Sequence, residues 1–140
     1  MPKIFKMTER DISLKDLRPD ISRAKVMSNT GEEERFQNQT LRPIAKFQND
    51  LLISMFKTYI TKRKNTYYKL SLPEKQDYID HAVKRDLKFR NLIKGIFLGL
   101  FTDDEYEEYI ENATNLDKRI ANLCVERLSS NIQYFDKLEN

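Results

Sequence analysis

Four stretches in the body of this chain, from residue 30 on, place Ser or Thr three residues ahead of Glu or Asp: Thr30-Gly-Glu-Glu33, Ser71-Leu-Pro-Glu74, Thr102-Asp-Asp-Glu105 and Thr114-Asn-Leu-Asp117. A hydroxyl at such a position accepts from the backbone N–H three residues on, and the carboxylate reaches back to its amide. Each therefore marks a helix start. Apolar residues follow at intervals of three and four. One segment carries Ile44, Phe47, Leu51, Leu52, Met55, Phe56, Tyr59 and Ile60; the last carries Leu116, Ile120, Leu123, Cys124, Leu128, Ile132 and Phe135. Only three Gly and four Pro punctuate 140 residues. No strand or hairpin pattern competes. The chain reads as all-α: a bundle of five or six helices with short loops and an irregular N-terminal arm.

The arm is residues 1–30 and the helical domain residues 31–140. No period is sustained in the arm, so it reads as extended or as one short turn. Its apolar residues (Ile4, Phe5, Ile12, Leu14, Leu17, Ile21, Val26) suit docking, either on its own body or on another chain. The domain is long enough to bury a core without a metal or disulfide. Pro43 clashes with the carbonyl of Gln39 and disfavours α geometry at Arg42. A break is expected near 39–42, with Thr40 as a new N-cap and a long helix then running to about Lys64. The helix from Ser71 is expected to end near Asp86 or to bend there.

Phe-Gln-Asn occurs twice, at 36–38 and 47–49. With a break between the copies, Phe36 and Phe47 read as core residues. Gln37, Asn38, Gln48 and Asn49 then lie on the shoulders of the apolar stripe. They either bond neighbouring groups or form a polar row for a partner, with Arg42 beside them. Gly95-Ile-Phe-Leu-Gly99 spaces two glycines as close helix packing does, and predicts that another backbone approaches there.

Net charge is +3 and unevenly placed. Residues 102–140 carry ten acidic and four basic side chains, and every earlier block is basic. Lys62, Arg63, Lys64, Arg85, Lys88 and Arg90 cluster in 57–94, with Tyr67, Tyr68 and Asn91 among them. Cations with stackable rings can contact phosphates and bases; a solvated face has the same composition. Arg90 and Asn91 could equally pair with the acidic segment 103–111. The candidate partner-contacting set is therefore Lys62, Arg63, Lys64, Tyr67, Tyr68, Arg85, Lys88, Arg90 and Asn91, with Gln37, Asn38 and Arg42.

Catalytic signatures are missing. The single imidazole is His81, beside Asp77 and Asp80, and the single thiol is Cys124, in an apolar pattern. No zinc-ligand spacing, phosphate loop or nucleophile elbow occurs. Neither cofactor nor metal is expected. The longest apolar run, residues 92–101, is half the length of a membrane span, and the N-terminus is not a signal peptide. A cytoplasmic location follows.

The stretches FQNQTLRPIAKFQND, KFRNLIKG, GLFTDDEY and LDKRIANLCVERL together resemble a family of small helical bacterial proteins, some of which are labelled glyoxalase. The resemblance covers about residues 33–135. The label implies a metal-dependent lyase of βαβββ fold with His and Glu ligands; this chain has one His and reads all-helical. The expectation is a non-catalytic helical protein that binds a macromolecular partner. That partner is a protein assembly or, through the basic face, RNA or the ribosome. The alternative is a small lyase or isomerase using His81 with Asp77 or Asp80.

Overall fold

The structure, a computed structural model, describes residues 7–19, 31–132 and 135. Among them every regular element is helical: α1 (Glu9–Leu17), α2 (Glu32–Phe36), a π-helical segment (Gln37–Leu41), α3 (Arg42–Phe47), α4 (Asn49–Lys62), a 3₁₀ turn (Thr66–Lys69), α5 (Leu72–Lys84), α6 (Leu87–Leu98), α7 (Asp103–Glu111) and α8 (Ala113–Ser130). The all-α expectation holds. Six helices make the body when α2, the π segment and α3 are taken as the continuous helix they form, and α1 adds a seventh.

Ser71 and Thr102 form their capping boxes as read, at the starts of α5 and α7. The other two starts differ. Gly31 is the N-cap of α2, and Asn112 that of α8, neither with a side-chain cap bond. A further box, Thr8 with Asp11, starts α1. The arm reading is thus corrected at residues 9–17, which form a helix rather than an extended strand or one turn. Ile4, Phe5, Ile21 and Val26 lie outside the described residues.

Proline acts where expected and by a different device. Thr40 caps nothing; it is buried inside the π segment. The helix widens so that the Arg42 N–H donates to the Gln37 carbonyl five residues back. That wider turn accommodates Pro43, which has no N–H and whose ring would collide with a normal turn. A second interruption falls at Gln48, where φ is −90° and ψ 4°. Asp86 separates α5 from α6 and caps α6 by accepting from the Phe89 N–H.

The core centres on Phe56. Its ring meets Tyr59, Tyr67, Tyr78, Phe89 and Phe135 at centroid distances of 5.2–6.4 Å, mostly edge-on, a geometry worth more than area burial alone. Cys124 is buried in α8, and burial pushes its thiol up to about 12. Phe36 joins the core, but Phe47 is 43% exposed and so is not the core residue its spacing suggested. The glycine pair also departs from expectation. A Cβ at Gly95 would meet no atom within 4 Å, and one at Gly99 would meet only the Gly95 carbonyl oxygen, 3.3 Å away. No neighbouring backbone approaches either; Gly99 ends α6.

Candidate functional site: a groove between α4 and α6

Helices α4 and α6 run antiparallel. At one end the Gln48 amide donates to the Ile96 carbonyl at 2.9 Å. At the other, Asp86 Oδ2 accepts from Tyr59 Oη at 2.9 Å and from Arg63 Nη2 at 2.8 Å. Between these ties the two helices enclose a cavity of about 500 Å3 whose walls include Met55, Thr58, Phe89 and Leu92. Lys62, Arg63 and Lys88 stand at its Asp86 end. Helical spacing extends the α4 wall from Met55 back one turn to Leu51; Phe47 lies on α3, across the Gln48 interruption. Phe47, Leu51 and Leu92 are 43%, 46% and 54% exposed.

Asp86 organises the basic end. Its Oδ1 caps α6 and its Oδ2 holds Arg63, whose guanidinium carbon lies 3.4 Å from the Tyr59 ring centroid. Burial opposes the charged form of Asp86, but the Tyr59 hydroxyl, the Phe89 N–H and Arg63 outweigh it and hold the carboxyl below its usual value. Burial and the bond to Asp86 push Tyr59 up to about 12. Tyr59 is therefore a donor at neutral pH. Arg63 is neutralised locally, whereas Lys62 and Lys88 have no ion pair among the described residues. The groove is an apolar strip that ends in unpaired positive charge.

The partner-contacting residues read from sequence do not form one surface. Lys62, Arg63 and Lys88 come together in the groove. Lys64 and Arg85 are exposed nearby in sequence, with Lys64 at a φ of 61°. Tyr67 is corrected: the 3₁₀ turn folds it wholly into the core, where no partner can reach it. Tyr68 is half-buried against the core. Arg90 is half-buried by a small cavity beside Lys94 and Asp117, and it is Lys94 rather than Arg90 that pairs with the acidic side, 3.2 Å from Asp117. Asn91 is exposed.

The Phe-Gln-Asn shoulders bond within the molecule. Gln37 accepts from Arg119 at 3.0 Å, Asn38 from Arg42 at 3.2 Å, and Asn49 from Arg127 at 3.2 Å. Arg119 and Arg127 are two turns apart on α8, so the two copies of the motif are tied to two arginines of one helix. His81 is exposed; Asp80 pairs instead with Lys84 at 3.2 Å.

Sequence reading missed how α1 is held. Arg10 donates to the Phe101 and Gly99 carbonyls, each at 2.9 Å, and Arg18 to that of Leu100 at 2.7 Å. Arg18 also grips Glu105 with both terminal nitrogens. Asp11 accepts from the Asp103 N–H at 3.2 Å. Cations thus meet the carbonyl end of α6 and an anion the amide end of α7, as the helix dipoles favour. Thr40 donates to Glu105 at 3.0 Å, joining the π segment to the same contact. Burial would raise the Glu105 carboxyl, but Arg18, the Thr102 N–H and Thr40 hold it below its usual value. The Thr8–Asp11 spacing was the available signal.

Among the described residues no helix is long and apolar enough to cross a membrane. The chain matches no family model, no curated protein and no solved structure.

Proposed function

We propose that this protein is a non-catalytic docking module, and that the α4–α6 groove receives an acidic amphipathic helix of a protein partner. One observation carries the reading: exposed Leu92 lines a cavity that also holds Lys62 and Lys88, and neither lysine makes an ion pair among the described residues. Apolar side chains along two helices form the groove that a partner helix fills with residues at i, i+4 and i+7. Unpaired lysines at one end select acidic side chains there and set the direction of the bound helix. RNA fits less well. Of the two tyrosines that would stack bases, Tyr67 is buried and Tyr68 packs on the core. A lyase or isomerase has no observation in its favour: His81 is not among the groove's lining residues, and Asp80 pairs with Lys84. Cytoplasmic residence goes with the docking reading, because the single thiol is buried and needs no oxidised partner.

Selection from a displayed library of helical peptides tests this. Enriched peptides are expected to carry apolar residues at i, i+4 and i+7 with Asp or Glu clustered at one end. Their amide-shift footprint should cover residues 47–62 and 88–96. Enrichment of basic peptides, a footprint elsewhere, or no enrichment would overturn the reading. Tight, steeply salt-dependent binding of RNA instead would move the basic end to phosphate contact.

A further inference from the structure

Away from the groove, two arginines share a cavity, and neither is ion-paired among the described residues. Arg42 begins α3 and Arg127 lies near the end of α8. Together with Asn49, Ser130 and Asn131 they line a space of about 170 Å3, room for several waters or one tetrahedral oxyanion. Neither arginine makes an ion pair among the described residues. Their bonds there are to neutral amide oxygens: Arg42 Nε to Asn38 at 3.2 Å and Arg127 Nη1 to Asn49 at 3.2 Å. Each guanidinium has five N–H donors, so most remain unused. Glu126 also lines the cavity, but its side chain is exposed.

Two cations brought together repel. Burial lowers the Arg127 pKa most; the Glu126 carboxylate pulls it back up, and the charge of Arg42 pushes it down by less than that. Two other half-buried arginines do have carboxylates, Arg18 with Glu105 and Arg119 with Glu33 at 3.6 Å. Arg90 has no ion pair among the described residues, but it does not share its cavity with a second arginine. A pair of guanidinium forks with neutral amides around them suits the planar, multidentate recognition of phosphoryl oxygens.

We propose that the Arg42–Arg127 cavity binds a phosphate group, as inorganic phosphate or as the phosphoryl end of a small phosphomonoester. Both guanidinia donate to the anion, and its charge relieves their repulsion. The site is independent of the proposed helix-docking groove and stands or falls apart from it.

The test is a titration of the full chain with inorganic phosphate and, separately, with glycerol phosphate, against sodium chloride of matched ionic strength. Side-chain Nε–H resonances of Arg42 and Arg127 and the Tm are followed together. Saturable shifts at both arginines are expected, with Tm rising with the logarithm of phosphate concentration. A phosphomonoester that binds more tightly than inorganic phosphate identifies an organic ligand; equal or weaker binding identifies the free ion. Arg42→Gln should abolish the shifts while leaving the ligand-free Tm unchanged or higher, because it removes a repulsion. Shifts that do not saturate, that chloride reproduces, or that survive in Arg42→Gln would overturn the proposal. So would a ligand-free Tm in Arg42→Gln well below that of the parent chain, which would make the pair a structural contact instead.

Discussion

The α1 contact and the α4–α6 groove are built from the same materials and left in opposite states. Both combine apolar side chains with charged ones at helix ends. Where α1 lies on the body, charges meet their opposites. Arg10 and Arg18 reach carbonyls at the end of α6, Asp11 caps α7, and Glu105 is gripped by Arg18 and Thr40. In the groove, Arg63 is matched by Asp86, while Lys62 and Lys88, near exposed Leu92, have no ion pair among the described residues. A contact whose charges meet their opposites holds the fold. One whose polar groups are unmatched, next to apolar surface, is built for something that comes and goes.

The largest effect should come from opening the closed contact. Glu105→Ala leaves the Arg18 guanidinium buried without its carboxylate and removes the capping partner of Thr102. A loss of about 3 kcal/mol is expected by chemical denaturation. Amide exchange in residues 9–17 should rise more than in α4 or α8. A loss confined to the global transition, with α1 still protected, would break the idea that Glu105 is what holds this helix.

Acid should open the same contact more gradually. The Glu105 carboxyl is lowered on folding from 4.5. Its contribution is therefore complete above that unfolded value and is lost as pH falls through the lower folded one. Protection of α1 should decay below about pH 4.5, before the core around Phe56 is exposed. If α1 and the core exchange in step at every pH, the two are one cooperative unit.

Charge reversal in the groove sharpens the comparison from the other side. Lys62→Glu with Lys88→Glu should slow association of an acidic helical peptide about tenfold and remove most of its salt dependence, with little change in stability. Stopped-flow mixing at two salt concentrations reads both. A smaller effect is expected at the end of α4, where Lys64 and Asn65 both take left-handed conformations, with φ of 61° and 59°. Lys64→Gly should stabilise the chain by roughly 0.5–1 kcal/mol in thermal unfolding. Peptide affinity should not move, because Lys64 is not part of the groove wall.

What was legible in the sequence was local. Ser71 and Thr102 act through bonds spanning three residues, so their boxes could be read directly. Pro43 announced an interruption, but not that the chain would absorb it by widening into a π turn. The glycines of 95–99 cost helix stability and so suggested close packing, yet a Cβ at Gly95 would meet open space rather than another backbone. Tyr67 sits in a run of cations and looked exposed; a 3₁₀ turn carries it into the aromatic core. The clasp on α1 joins residues more than eighty apart in sequence, beyond the reach of any local pattern. The groove was half legible. Its cations were singled out, while Leu51 and Phe47 were assigned to the core by a spacing that places them on the stripe without saying which side of the stripe is covered.

The account rests on the groove being open and selective, and Leu51→Asp combined with Leu92→Asp tests that most directly. Both side chains are about half exposed, so Tm should remain close to that of the parent chain. Affinity for a selected acidic amphipathic peptide, measured by calorimetry, should fall at least about thirtyfold, the loss of one hot-spot residue or more. Unchanged affinity at unchanged Tm would contradict the account. A collapse of Tm would contradict it too, because it would show that this strip is core rather than a docking surface.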